Sequence, residues 1–181
     1  MVNQQRKTTG MDTNRTIYLA AGCFWGAQHY LGLINGVVTT ETGFANGHGD
    51  SPTYEQVYTD TTGYAETVRV VYDPQVLSLR TLVELYFKSI DPVSVNRQGE
   101  DRGTRYRTGI YYTDAADLPT IREVAAEVQR HYAEPLAVEI LPLECFWPAD
   151  EYHQDYLDKH PDGYCHLPEA LFEMARKANR K

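Results

Sequence analysis

Residues 66–89 limit the possible folds more than any other stretch of the chain. Residues 66–72 read Glu-Thr-Val-Arg-Val-Val-Tyr, a run rich in β-branched residues that predicts a strand, and Asp73-Pro74 ends it. Ser78 then offers a hydroxyl to cap a helix that reaches about Ser89, with apolar residues at helical spacing. A strand and a helix in direct succession indicate a class in which sheets and helices pack together.

The same alternation continues along the rest of the chain. Helices are predicted after Cys23, over 114–132 and 150–159 and from Pro168, with a helical turn at 53–58; further strands are predicted over 16–21, 36–44, 107–113 and 136–141. Residues 91–106 are polar and rich in Arg and Gly, which predicts a long functional loop. The alternation therefore indicates the α/β or α+β class, as a two-layer sandwich with helices packed on a mixed sheet.

Composition excludes several classes of protein. The 181 residues suffice for one domain, which we place at 15–181, after a polar and disordered tail at 1–14. The net charge of −8 argues against nonspecific nucleic-acid binding. No apolar run approaches the ~20 residues that span a bilayer, and the first residues lack the apolar core of a secretory signal. We therefore expect a cytoplasmic protein without membrane contact, and a monomer.

A cysteine stands where the first predicted strand gives way to a helix, in Gly22-Cys23-Phe24-Trp25-Gly26. Unpaired backbone N–H groups at a helix N-terminus favour an anion, so this position predicts a lowered thiol pKa and a reactive Cys23. The glycines allow close approach of a backbone or a ligand. A reactive sulfur beside Phe24 and Trp25 suggests a substrate with a small apolar group next to an electrophilic atom.

Other polar residues could complete a site. Glu66, with tyrosines such as Tyr54, Tyr64 and Tyr106, could form an apolar pocket that raises the pKa of the carboxyl and keeps a proton available. Asp101 lies in the predicted polar loop.

The three cysteines, Cys23, Cys145 and Cys165, form no CxxC pair, which argues against a disulfide scaffold. Cys165 could supply a second thiol, and a buried structural role is favoured for Cys145. A metal site built from Cys145, Cys165, His153 and His166 matches no zinc spacing, so we expect no metal.

Two other functions compete with thiol redox chemistry. A cysteine hydrolase or acyltransferase would pair Cys23 with His29 or His153 as base, but gives Cys165 no purpose. A non-catalytic module could grip methionine-bearing peptides in its aromatic pocket, and would then work with Cys23 blocked.

Five segments resemble the A-type peptide methionine sulfoxide reductases in order along the chain. The Gly22–Gly26 segment matches the active-site motif of that family. The remaining matches are Ser51-Pro52-Thr53-Tyr54-Glu55, Gly63-Tyr64-Ala65-Glu66 with Val68-Arg69-Val70, the loop from Asn96 to Arg107, and Gly163-Tyr164-Cys165-His166. The resemblance runs from about Thr16 to about Leu167. It differs at Tyr64, Phe44 and Arg105, where the family often has His, Tyr and Gln.

With this resemblance, we predict the α+β class, an α/β two-layer sandwich with helices packed on a ferredoxin-like mixed sheet and a long coil C-terminal tail. The resemblance also implies reduction of the S epimer of methionine sulfoxide, free or in proteins, as protein repair after oxidative damage. Cys23 would attack the sulfoxide while Glu66 donates a proton, and Cys165 would resolve the Cys23 sulfenic acid as a disulfide. Phe24 and Trp25 would hold the methyl group, and Tyr54, Tyr106 and Asp101 would complete the substrate site. Thioredoxin would reduce the disulfide, and no metal or organic cofactor is implied.

Overall fold

The computed structural model describes residues 13–180. The predicted tail at 1–14 therefore lies, apart from its last two residues, outside the described part of the chain. The strands are β1 (Arg15–Ala21), β2 (Val37–Ala45), β3 (Ala65–Tyr72), β4 (Arg97–Gln98), β5 (Asp101–Arg102), β6 (Thr108–Tyr112), β7 (Glu139–Pro142) and β8 (Phe146–Pro148). The α-helices are α1 (Phe24–Gly32), α2 (Tyr54–Tyr58), α3 (Leu79–Lys88), α4 (Leu118–Gln129), α5 (Tyr156–Lys159) and α6 (Glu169–Lys177), and 3₁₀ turns cover Thr104–Tyr106, Ala115–Asp117 and Glu151–His153.

Six strands form one mixed sheet in the order β7-β6-β1-β3-β2-β8. The β6–β7 pair is parallel and every other neighbouring pair is antiparallel. The four middle strands, with α1 following β1 and α3 following β3, give the β-α-β-β-α-β order of a ferredoxin-like unit. The predicted class and the ferredoxin-like mixed sheet are confirmed.

The core lies between this sheet and the helices. Ile17 and Leu19 of β1 and Val68 and Val70 of β3 are fully buried, as the alternating pattern of these strands requires. The helix predicted from Ser78 begins there, because the Ser78 hydroxyl accepts from the backbone N–H three residues later. The candidate site lies just beyond the C-terminal end of β1 and at the N-terminal end of β3, the two strands that this core holds in place.

The C-terminal third folds back over the site in short pieces. β8 pairs with β2, which brings Phe44 opposite Trp147. α6 packs on α1, where the rings of His29 and Phe172 meet edge to face at 4.6 Å. The long coil tail is not confirmed, since the irregular segment between α5 and α6 is followed by a helix at Glu169–Lys177.

Two local predictions are wrong. The polar loop at 91–106 is not structureless, because β4 and β5 pair within it as a small hairpin. The helix predicted over 150–159 is broken at Asp155, whose φ is +52° and whose backbone N–H donates to the side-chain oxygen of Gln28 at 2.8 Å. This tertiary hydrogen bond outweighs local helix propensity. Within residues 13–180, no helix is long and apolar enough to cross a bilayer.

Candidate active site

Cys23 occupies the turn between β1 and α1. Gly22 has a φ of +79°, and Cys23 is the N-cap residue of α1 and only 7% exposed. The backbone N–H groups of Trp25 and Gly26 act to lower the pKa of Cys23. Burial and the negative charge of Glu66 nevertheless raise this pKa well above its usual value. The predicted lowering of the thiol pKa is therefore wrong, and the helix N-terminus is placed to stabilise a thiolate only as it forms.

Glu66 lies next to this turn, in β3. Its carboxyl group is 1% exposed, and Oε1 accepts from the backbone N–H of Phe24 at 3.1 Å. Oε2 is buried and has no hydrogen-bond partner within the described structure. Burial raises the pKa of Glu66 to about 8, although the Phe24 N–H and the Arg105 charge oppose this shift. Glu66 thus carries a proton at neutral pH, as its predicted apolar setting requires.

Tyr54 and Tyr106 flank this carboxyl group from α2 and from the 3₁₀ turn at 104–106. Burial raises the pKa of Tyr106 to about 12 and that of Tyr54 further. The charges of Glu66 and Cys23 act on both phenols, which places the four groups around one site. Tyr64 is directed elsewhere, because its hydroxyl donates to the carbonyl of Gly49.

Arg105 is a site residue whose role the sequence did not reveal. Its guanidinium pairs with Asp60 at 2.5 Å and lies over the rings of Tyr58 and Tyr106 at 4.2 and 4.4 Å. The positive charge lowers the pKa of both Glu66 and Tyr106. The family resemblance marked this position only as a departure, and no local signal connects it with Glu66.

An aromatic wall closes one side of the site. Phe24 is 1% exposed and packs on Phe44 and Tyr54, so its ring forms the floor. Trp25 is partly exposed and lies flat on Tyr156, with ring centroids 3.7 Å apart. Trp25 also lines an open cavity with Tyr54, Glu55, Asp150, Tyr152 and His153.

His153 holds this wall together and does not pair with Cys23. Its Nδ1 accepts from the indole N–H of Trp25 at 3.1 Å, and its ring stacks on Tyr54 at 4.4 Å. Burial lowers its pKa. The other candidate base, His29, lies 3.3 Å from Asp158. Both histidines thus have other partners, which removes the basis for a cysteine hydrolase.

Cys165 lies against the first turn of α1. A methyl group added at Gly26 would be 2.9 Å from the Sγ of Cys165 and 3.2 Å from the ring of His166. Gly26 therefore forms a notch that admits the irregular segment between α5 and α6. Because the N–H of Gly26 also acts on Cys23, one residue faces both thiols.

Asp101 joins the polar loop to this segment. Its Oδ1 accepts from the hydroxyl of Tyr164 at 3.0 Å, whereas its Oδ2 is buried without a partner in the described structure. The negative charge of Asp101 raises the pKa of Cys23 and of Glu66. All eight residues that the sequence suggested for the site are thus assembled in one region.

Cys145 lies apart from these groups. Its Sγ is 3.8 Å from the carbonyl oxygen of Gly47 and 3.9 Å from the hydroxyl of Tyr64, and the side chain is partly buried. Among residues 13–180, no three histidine, cysteine or acidic side chains are grouped to hold a metal ion.

A cysteine beside a protonated carboxyl group, with a second thiol at the same helix turn, is an arrangement for thiol redox chemistry. Residues 15–181 match the peptide methionine sulfoxide reductase family. A reductase named MsrA from Lachnoclostridium phytofermentans is 52% identical over 165 residues, which cover 91% of this chain and 99% of the relative. The chain belongs to the peptide methionine sulfoxide reductase family and is an oxidoreductase.

Solved structures agree with this assignment. Reduced Mxr1 from Saccharomyces cerevisiae superimposes with a TM-score of 0.82 at 37% identity, covering 87% of this chain and 92% of that one. Mxr1 has also been solved in complex with Trx2, and that chain matches with a TM-score of 0.57 at 28% identity, covering 80% and 86% of the two chains.

Proposed function

We propose that this chain reduces the S epimer of methionine sulfoxide, free or within proteins, through a sulfenic acid at Cys23. The observation that carries this proposal is the state of Glu66. A buried carboxyl group that holds a proton, with one oxygen fixed by a backbone N–H and the other unpaired, is prepared to donate to an incoming oxygen.

The substrate would lie along the aromatic wall. Its methyl group would contact Trp25 above the floor formed by Phe24. The sulfoxide oxygen would accept from Glu66 and from the hydroxyls of Tyr54 and Tyr106, whose raised pKa values keep them protonated. Asp101 would orient these donors or a bound water molecule.

The reductive step then uses groups that already face one another. Cys23 attacks the sulfoxide sulfur while Glu66 gives its proton to the oxygen, and the S–H proton of Cys23 returns to the Glu66 carboxylate. The S–O bond of the substrate then breaks, the hydroxyl group passes to the sulfur of Cys23, and methionine departs. The sulfur of Cys23 is oxidised to a sulfenic acid, the first product of thiol oxidation, and the sulfoxide is reduced by two electrons. General acid catalysis by Glu66 would contribute on the order of 100- to 10,000-fold.

Cys165 would resolve the sulfenic acid by forming a disulfide with Cys23 and releasing water. The position of Cys165 at the Gly26 notch supports this role. Thioredoxin would return both thiols by exchange, in keeping with the solved complex of Mxr1 and Trx2. Cys23, Cys165 and Glu66 supply the groups that react with the sulfoxide, and thioredoxin supplies the two electrons of each cycle, so we propose no metal or organic cofactor.

The domain organisation, oligomeric state and cellular location that we propose are those expected from the sequence. We propose that residues 15–181 act as one reductase domain in a monomer, without nucleic-acid or membrane partners. Cys23, Cys145 and Cys165 are unpaired thiols, which suits the reducing cytoplasm.

Mass spectrometry after addition of one equivalent of a chiral methyl sulfoxide tests this function. With the S epimer, we expect one methionine-type product per enzyme, loss of two hydrogens and a peptide that links positions 23 and 165. The R epimer serves as the control and should leave the thiols reduced. An unmodified enzyme after exposure to the S epimer would contradict the proposal.

A further inference from the structure

His166 is a partly buried titratable residue that has no role in the proposed cycle. Its ring lies between Gly22 and Gly26. A methyl group added to Gly22 would be 3.3 Å from Nε2 of the ring, and one added to Gly26 would be 3.2 Å from Nδ1. Gly99, at the turn between β4 and β5, lies near the Cβ of His166, which would be 3.8 Å from a methyl group added to this glycine. Packing of this kind fixes the ring next to Cys165, its neighbour in the chain.

The hydrogen bonds of the ring determine its tautomer. Nε2 lies 3.2 Å from the backbone carbonyl oxygen of Ala21. A carbonyl oxygen only accepts, so the proton of the neutral ring must be on Nε2, and Nδ1 must carry a free lone pair. Nδ1 is buried and has no hydrogen-bond partner in the described structure. His166 therefore presents an unused proton acceptor inside the protein.

This acceptor shares the Gly26 notch with the second thiol. One point, the position of a methyl group on Gly26, is 2.9 Å from the Sγ of Cys165 and 3.2 Å from Nδ1 of His166. The same glycine directs its N–H towards Cys23. The lone pair, the resolving thiol and the attacked sulfur thus meet around a single residue.

We propose that His166 is the general base that takes the proton of Cys165 when this thiol attacks the sulfenic acid of Cys23. This inference rests on the proposed function. As the bond between the two sulfur atoms forms, the S–H proton moves to Nδ1 and the S–O bond of the sulfenic acid breaks. The hydroxyl group takes up the proton that the imidazolium releases and leaves as water, so His166 is neutral again, Cys165 is oxidised, Cys23 is reduced and the proton count is balanced.

The electrostatics of the notch require such a base. Burial raises the pKa of Cys165, so at neutral pH this thiol does not ionise by itself. Burial lowers the pKa of His166, which keeps its ring neutral and able to accept. Two charged groups on the packed elements act here: Asp101 of β5 raises the pKa of both residues and so favours the imidazolium that proton transfer creates, and Glu169 of α6 raises the pKa of Cys165.

Single-turnover kinetics of His166→Gln test this role. Glutamine can keep an N–H for the Ala21 carbonyl but lacks a basic nitrogen. Reduced enzyme is mixed with one equivalent of S-epimer sulfoxide between pH 6 and pH 9, and methionine and remaining thiols are followed in time. We expect disulfide formation at pH 7 to slow on the order of 100-fold, while a cyclic 1,3-diketone traps the accumulating Cys23 sulfenic acid.

The pH profile separates a base from a packing residue. In the variant, the disulfide rate should rise about tenfold per pH unit, since only spontaneous ionisation of Cys165 remains. His166→Asn, which also lacks a base, should behave in the same way. His160→Gln changes an exposed histidine of the same segment and should retain the wild-type rate and profile.

The outcomes are distinct. A disulfide rate in His166→Gln equal to that of the wild type at pH 7 overturns the proposal. A slower rate with the pH profile of the wild type assigns His166 a purely structural role and also overturns it. If the wild-type enzyme forms no methionine at all, the proposed function fails, and the inference about His166 fails with it.

Discussion

The backbone N–H of Phe24 donates to Oε1 of Glu66 at 3.1 Å, so the residue that follows the nucleophile also holds the proton donor. β1 and β3 are hydrogen-bonded neighbours in the sheet, which fixes this contact through the backbone. The acid and the nucleophile therefore cannot shift independently.

Replacing Glu66 by glutamine should slow sulfoxide reduction on the order of 100- to 10,000-fold, because the amide accepts the Phe24 N–H but donates no acidic proton. In the wild type, the rate of the first turnover should fall as pH rises through about 8, where Glu66 loses its proton. This decline should be absent from Glu66→Gln. Stopped reactions that quantify methionine across pH 6–10 measure both effects, and an unchanged rate at pH 7 would remove Glu66 from the acid role.

The same carboxyl group should make stability depend on pH. The pKa of Glu66 is raised from an ordinary value of 4.5 to about 8 on folding, so between these values the folded state binds more protons than the unfolded state. The free energy of unfolding should therefore decrease as pH rises through this window, by up to about 1.4 kcal/mol per pH unit. Glu66→Gln should lack this contribution and gain stability over the wild type above pH 8.

Urea unfolding at pH 4.5, 6, 7 and 9 checks this expectation. Glu144→Gln is the matched control, because Glu144 is exposed and its substitution should follow the wild-type curve. Parallel curves for the wild type and Glu66→Gln would show that Glu66 is not neutral in the folded protein.

Cys165→Ser should reduce one sulfoxide per enzyme and then stall with thioredoxin, because no thiol remains to resolve Cys23. Cys145→Ser should turn over normally, since Cys145 contacts Gly47 and Tyr64 rather than the α1 turn. Steady-state assays with thioredoxin and single-turnover assays without it distinguish the two variants. The reverse pattern would transfer the resolving role to Cys145.

Gly26→Ala should separate helix propensity from function. Alanine favours an α-helix over glycine by about 1 kcal/mol, yet its methyl group would lie 2.9 Å from the Sγ of Cys165. We expect a well-folded variant in which Cys165 is displaced and disulfide formation slows at least severalfold.

Gly32→Ala, in the last turn of the same helix, is the control for Gly26→Ala. Its methyl group would meet only Thr40, at 3.8 Å, an ordinary contact. Rapid quenching with a thiol reagent follows the disulfide in both variants. Equal disulfide rates would show that the notch is not needed.

Arg105→Gln should move the decline of the catalytic rate at alkaline pH to higher pH. The guanidinium charge lowers the pKa of Glu66, and its removal leaves the charge of Asp60, which raises that pKa. The decline in single-turnover rate should then occur above pH 8. Arg102→Gln, at an exposed position of β5, should keep the wild-type profile, and an identical midpoint in Arg105→Gln would show that Arg105 does not tune the acid.

The helices that were predicted correctly are specified by residues at or next to their own ends. Ser78 caps α3 and Thr53 caps α2, each through a side-chain oxygen that accepts a nearby backbone N–H. The Gly22–Gly26 motif likewise indicated the nucleophile and its helix turn. Periodicity predicted the alternation of strands and helices, whereas the ferredoxin-like sheet and the roles of the site residues were predicted with the family resemblance.

The features that escaped prediction depend on distant parts of the chain. β8 has three residues and contains Pro148, so only its pairing with β2 makes it a strand. The break at Asp155 comes from Gln28, far away in sequence. The raised pKa of Cys23 arises from burial and from Glu66, neither of which the turn itself reveals.

The segment that carries Cys165 is held at both ends, by α5, where Tyr156 stacks on Trp25, and by α6, where Phe172 packs against His29. A short tether between fixed points keeps its sulfur at a high effective concentration near Cys23. An oxidised nucleophile would therefore be captured within the molecule before peroxide could oxidise it a second time, to a sulfinic acid that thioredoxin cannot reverse. The anchored tether would protect the repair enzyme from the oxidants whose damage it corrects.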